Sequence, residues 1–176
     1  MRAWQAPDQP ARLQEPGRIV GDRDPTALAC YGVLLRPSAV TGRGEQMLLR
    51  FVDGRPVSAV TIAVLERWSM QMFSMGKTAL ILIWDNAPWH ISRQVRTWLR
   101  QHNRAVKGGA VGVRIIVAKL PIKSPWLNPI EPKWVHGKRA VVAPARLLTA
   151  RELAERVCAY YGCVYEPHIV QPQQAA

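Results

Sequence analysis

From Thr78 to Trp84 the chain is apolar after its first residue, and the run stops abruptly on Asp85. It is too short for a typical helix and lacks the alternation of a strand with one wet face. It therefore reads as a central strand covered on both faces. That constrains the fold more than any other feature, because such a strand needs a sheet with helices packed on it. An isolated carboxylate costs several kcal/mol to bury (roughly 2–7 for a polar group, more for a charge). Asp85 must therefore emerge at the carboxyl edge of the strand, where α/β sheets place their sites. A plainer reading is that Asp85 and Asn86 cap the helix that follows.

The flanking segments supply the rest of such a fold. Residues 26–35 and 47–52 are short apolar runs separated by Ser, Thr and Gly, which predicts an antiparallel pair. From Val57 the positions Val57, Val60, Val64, Leu65, Trp68 and Met72 recur at helical spacing, predicting a helix that ends near Gly76. After Asp85 a single helix is expected, with Pro88 in its first turn and Ile91, Val95, Trp98 and Leu99 on one face. Arg93, Arg96, Arg100 and Arg104 fall on the opposite face. Val111 to Lys119 reads as another strand, and Thr149-Ala150-Arg151-Glu152 has the capping-box pattern of a last helix running toward Tyr161. Strands first, then strand and helix in alternation, imply a mixed sheet flanked by helices. One domain over residues 1–165 is expected, with residues 166–176 as a disordered tail.

Charge selects the class of partner. The chain has 176 residues, with 24 Lys plus Arg against 12 Asp plus Glu, a formal net charge of +12. This favours a polyanion, nucleic acid first, over an acidic small molecule. No apolar run approaches the roughly 20 residues needed to span a bilayer, so no membrane partner and a cytoplasmic, nucleoid-associated location are expected. Cys30, Cys158 and Cys163 form neither a Cys-x-x-Cys pair nor a pattern with His, so reduced, packed thiols are expected.

A second acid lies downstream, in the Pro-rich stretch Leu120-Pro121-Ile122-Lys123-Ser124-Pro125-Trp126-Leu127-Asn128-Pro129-Ile130-Glu131-Pro132-Lys133-Trp134. Asn128 suits a helix N-cap, Pro129 the first helical position and Glu131 the third. On those residues alone an ordinary helix start is the better reading. A carboxylate there is also held ionised by the helix dipole, which suits a metal ligand.

The two stretches together resemble the catalytic core of mariner-type DDE transposases, in particular their bacterial insertion-sequence branch. The resemblance rests on Asp85, Asn86, Ala87 and His90, then on Leu120, Pro121, Ser124, Pro125, Leu127, Asn128, Pro129, Ile130, Glu131, Trp134 and Lys138. It runs over about residues 1–140 and is strongest from 80 to 140. It implies an RNase H-like α/β fold, with Asp85 as the second and Glu131 as the third of three catalytic acids. Asn86, His90, Asn128 and Trp134 would support them. Trp4, Gln9 and Pro10 match a segment that follows the first acid in the family, so the chain is expected to begin after the first central strand.

The same resemblance implies two Mg²⁺ (or Mn²⁺) ions, and DNA, as transposon ends and target, for the substrate. Of the other aspartates, Asp8, Asp22, Asp24 and Asp53, only Asp53 ends a candidate strand, about 10 Å from the central one at about 4.8 Å per strand. Paired metals about 4 Å apart are too close together for it to bridge. Weak metal binding and little cleavage by this chain alone are therefore expected, with an upstream transposase fragment or a homodimer as candidate partners. Poor solubility is expected too, from unpaired strand edges. Lys119, Lys123, Lys133, Lys138 and Arg139 flank the acids and are the first candidates for DNA contact, ahead of Arg93, Arg96 and Arg100. His90 and Trp89 are expected to position the loop. The reading from a different class is a non-catalytic, basic DNA-binding remnant or domesticated protein.

Overall fold

The computed structural model describes residues 28–36, 44–141 and 148–169. Strand β1 (Leu28–Leu35) pairs antiparallel with β2 (Gln46–Asp53) along its whole length, in the register Gly32↔Leu49. Helix α1 (Ser58–Ser74) leads to β3 (Ala79–Trp84), and then come a short turn of helix, α2 (Pro88–Ile91), and α3 (Arg93–Lys107). Strand β4 (Arg114–Lys119) lies parallel to β3, followed by α4 (Ile130–Val141) and α5 (Ala150–Tyr161). The expected mixed α/β character is present. Among the described residues, however, the strands form two separate two-stranded sheets, β1-β2 and β3-β4.

One apolar core joins them. Helix α1 turns Val60, Val64, Leu65, Trp68 and Met72 inward, meeting Tyr31 and Val52 from one sheet, Leu80, Leu82, Trp84 and Ile115 from the other, and Val95 and Leu99 from α3. Tyr31 Oη donates to the Val57 carbonyl (3.3 Å) and lies 3.2 Å from Thr61 Oγ1, tying β1 to the start of α1. At the far side α3 pins β4. Asn103 bonds both the amide and the carbonyl of Ile115 (2.7 and 2.8 Å), and His102 with Ser69 satisfies Val113. These contacts satisfy main-chain groups of the segment leading into β4 that would otherwise be orphaned in the core.

A second layer covers only the β1-β2 sheet. Met47, Leu49 and Phe51, the alternate set on β2, pack under Ala154 and Cys158 of α5 and Trp134 of α4. Alternation along β2 thus feeds two cores, as strand geometry requires. Helix α4 is seated by two glycines. A Cβ on Gly32 would overlap the Trp134 indole, 2.6 Å from Cη2, and a Cβ on Gly137 would lie 2.7 Å from Tyr161 Cζ. Tyr161 Oη also donates to the Lys133 carbonyl at 2.6 Å.

Four expectations are corrected. The helix after Asp85 is broken at Ser92, whose extended backbone and side chain cap α3 by accepting from Val95 N–H (3.2 Å). Strand β3 is covered on one face only, since Ile81 and Ile83 are 68% and 53% exposed. Cys30 is exposed as a residue, although burial of its thiol pushes it, like that of Cys158, up to about 12, so both thiols stay protonated at neutral pH. At the expected tail, Glu166 pairs with Arg50 and Arg67, His168 Nδ1 with Asp53 Oδ1 (2.6 Å), and Ile169 N–H donates to the Phe51 carbonyl (2.8 Å). Residues 170–176 lie outside the described residues.

Gly32→Ala should cost about 1–3 kcal/mol through overpacking against Trp134. The penalty should shrink in a Trp134→Leu background, which a double-mutant cycle by urea unfolding would measure.

Candidate active site

Strand β3 ends at Trp84, and the chain leaves the sheet at Asp85 with its side chain half exposed (49%). Asp85 Oδ1 accepts from Ala87 N–H (3.0 Å) and lies 2.7 Å from His90 Nδ1. Neither Asp85 nor Asn86 caps α2, whose N-cap Ala87 has no side-chain cap; the Asp85 bond holds the turn before it and leaves Oδ2 without a partner among the described residues. His90 lies flat on the Trp84 indole, with ring centroids 4.8 Å apart and planes 5° from parallel. Stacked and hydrogen-bonded, it fixes the orientation of Asp85. Asn86 turns the other way: its Nδ2 donates to the Leu120 carbonyl (2.8 Å), and Leu120 N–H donates to the Trp84 carbonyl (3.0 Å). The ends of β3 and β4 are thereby locked together just below the acid.

The Pro-rich stretch crosses in front of this edge. Pro125–Leu127 makes a single 3-10 turn, and α4 opens at Ile130, one residue later than the sequence predicts. Asn128 contributes its carbonyl, which accepts from Glu131 N–H (3.0 Å), where the sequence reading expects a side-chain cap. Glu131 falls in the first turn, where free N–H groups and the dipole favour an anion. Its carboxylate has no hydrogen-bond or ion-pair partner among the described residues. One turn later Trp134 is wedged over Gly32, so the packing that seats α4 also sets where Glu131 stands.

Asp85, His90, Asn128, Glu131 and Trp134 all line one cavity of about 620 Å³. Two carboxylates with free oxygen atoms suit a hard cation, which takes one or two protein carboxylates and fills its remaining positions with water or phosphate oxygen. No group of three or more acidic, His or Cys side chains placed to hold a metal occurs among the described residues. Asp53 is committed to His168, and Asp8, Asp22 and Asp24, like Trp4, Gln9 and Pro10, lie outside the described residues.

The basic residues divide by what already holds them. Lys119, Lys123, Lys138 and Arg139 are exposed, as are Arg93, Arg96, Arg100 and Arg104 along α3. Lys133 Nζ is paired with Glu45 (2.9 Å), and that hydrogen bond, with the nearby Lys133 and Arg36 charges, holds the Glu45 carboxyl below its ordinary value. Lys133 is thus less free for phosphate than its neighbours. Sequence reasoning missed Gly32 and Tyr161 as the seat of α4. A lone glycine inside the run Tyr31-Gly32-Val33 is the signal for such a close approach.

The structure is thus a mixed α/β domain with one acid after a strand, Asp85, and one in the first turn of a helix, Glu131, on one cavity. A family model described as DDE superfamily endonuclease matches residues 2–154. The chain belongs to that family. No curated protein and no solved structure matches it. No helix among the described residues is long and apolar enough to cross a membrane.

Asn86→Ala should leave the Leu120 carbonyl without its side-chain donor and cost about 1 kcal/mol. The loss should show as faster hydrogen exchange at Leu120 N–H than at amides of α1.

Proposed function

We propose that this chain carries the catalytic core of a mariner-type transposase of the bacterial insertion-sequence branch, acting on transposon ends and target DNA. The observation that supports this most is that Asp85 and Glu131, distant in the chain, line one cavity with the motif side chains Asn128, His90 and Trp134. Asp85 and Glu131 would hold the Mg²⁺ or Mn²⁺ ions. Two such ions supply a nucleophilic oxygen at neutral pH and stabilise the leaving oxygen of the phosphodiester. The side chains of this chain perform the rest. His90 holds the Asp85 carboxylate in orientation, the first turn of α4 places Glu131 on the cavity, and Lys119, Lys123, Lys138 and Arg139 bind and align the phosphate backbone. Hydrolysis frees the element's end, and the released 3′-hydroxyl then attacks the target strand.

Asp85 and Glu131 are two of the three acids such a centre uses, so the isolated chain should bind metal weakly and cleave little. The second reading is a basic DNA-binding protein without catalysis, favoured by the commitment of Asp85 Oδ1 to His90 and Ala87.

Mg²⁺ should raise the unfolding temperature of the chain, and Asp85→Asn should abolish the rise; salt-sensitive DNA binding without any rise would favour the second reading. Mg²⁺-dependent nicking by the isolated chain that disappears in Asp85→Asn would overturn the expectation of little cleavage. Each of Lys119→Ala and Lys123→Ala should flatten the dependence of log K on log salt by about one unit, while Lys133→Ala should change it less.

A further inference from the structure

Between Asp85 and Glu131 the chain carries no further Asp or Glu, while residues 86–130 hold eight Lys or Arg. All eight are exposed, and none takes part in an ion pair among the described residues. Five of them, Arg93, Arg96, Arg100, Arg104 and Lys107, belong to α3. At 100° per residue they fall within about 80° of one another, and at 1.5 Å per residue they span about 21 Å. They form one straight stripe along the helix, while Val95 and Leu99 turn into the core.

Helix stability does not ask for this stripe. Arg96, Arg100 and Arg104 are spaced four apart, and like charges at that spacing repel. Arg93 opens the helix, at the end where the dipole disfavours a cation, and only Arg104 and Lys107 in the last turn sit where it favours one. A solvated helix face ordinarily alternates the two signs, whereas α3 contains no acid to answer five cations. The stripe also has a fixed place relative to the cavity. Strands β3 and β4 are parallel, so α3, which joins them, runs back against both. Asn103, toward its end, bonds Ile115 at the start of β4, whereas Arg93 comes three residues after His90, which holds Asp85. The stripe therefore begins at the edge of the sheet where Asp85 emerges and leads away from it.

We propose that this face of α3 is a DNA-binding surface apart from the cavity, gripping the sugar–phosphate backbone of the duplex that continues beyond the bond held at Asp85. Guanidinium forks match phosphate oxygen atoms in pairs, and contacts to the backbone carry no sequence information. The surface is thus indifferent to sequence. Its span of about 21 Å covers about six base pairs at 3.4 Å per nucleotide of a strand. That the occupant is DNA rests on the function proposed above; that the face holds a polyanion does not.

The full chain, kept in EDTA so that no metal at the acids takes part, is titrated with a fluorescent duplex of about 20 base pairs between about 50 and 200 mM salt, and binding is read by anisotropy. Arg96→Gln/Arg100→Gln should weaken binding at the lower salt by about tenfold or more and flatten the dependence of log K on log salt by about two units. Arg96→Lys/Arg100→Lys should keep the parent slope. Arg151→Gln/Arg156→Gln, which removes the same charge from exposed positions of α5, should lose much less affinity. A duplex of scrambled sequence should respond as the first does. The unfolding temperature of Arg96→Gln/Arg100→Gln should equal or exceed that of the parent, since repulsion is removed, whereas a merely structural role would lower it. An equal loss in the α5 variant would mean a diffuse field and overturn the surface. So would an unchanged salt slope in Arg96→Gln/Arg100→Gln, or a loss of poly-glutamate binding with DNA binding intact, which would assign the face to an acidic protein. None of these readouts uses Mg²⁺ or cleavage, so a missing Mg²⁺ response at Asp85 would overturn the catalytic reading and leave this surface standing.

Discussion

Two sheets with no ladder between them among the described residues are held in one body by the apolar face of α1. Val64, Leu65 and Trp68 touch the cores of both pairs, and each such side chain contributes about 1.5–3 kcal/mol by its burial. Tyr31 adds a polar tether from β1, and the Ser69, His102 and Asn103 bonds add others around β4. Everything at the candidate site inherits its geometry from this arrangement. Asp85 sits where β3 leaves the core, and Glu131 sits where α4, wedged by Trp134 on Gly32, crosses the other sheet. Side-chain packing rather than a continuous hydrogen-bonded sheet fixes the distance across the cavity.

The places of Asp85 and Glu131 in the fold were legible because each sits at a punctuation mark in the sequence. Asp85 closes an apolar run and Glu131 follows Asn128-Pro129, and both marks correspond to chain ends of regular elements in the structure. The period of α1 and the alternation of β2 were legible for the same reason, since each is a repeat that burial enforces. The break at Ser92 was not. The apolar positions Ile91, Val95 and Leu99 stay in helical phase across it, so periodicity hides a cap that only the serine announces. The partial exposure of β3 was equally hidden, because an apolar residue states a need for cover without naming what covers it. Gly32 was readable as a close approach, but Trp134 lies too far along the chain for sequence spacing to pair them.

Positive charge is distributed so that little of it is spent internally. Arg50 and Arg67 share the single carboxylate of Glu166, and Lys133 pairs with Glu45, whereas the arginines of α3 and the lysines around the acids face solvent. Exposed charges contribute little to stability, so the retained excess is better understood as a field for a polyanion than as glue. That field has a local consequence. It draws a polyanion toward the cavity that Asp85 and Glu131 line, where two carboxylates would otherwise oppose a phosphate backbone and a divalent cation would bridge the two.

An open edge is normally a hazard, and proteins blunt such edges with charge, proline or a covering element. Here the edges of β1 and β3 are neither charged nor interrupted: residues 29–35 and 80–84 contain no Lys, Arg, Asp, Glu or Pro. Residues of both strands line the cavity of about 620 Å³ on which Asp85 and Glu131 also sit, and Trp84 Nε1, at the last residue of β3, is buried without an acceptor among the described residues, so the end of β3 is held by packing and by the Leu120 bond to its carbonyl rather than by its indole.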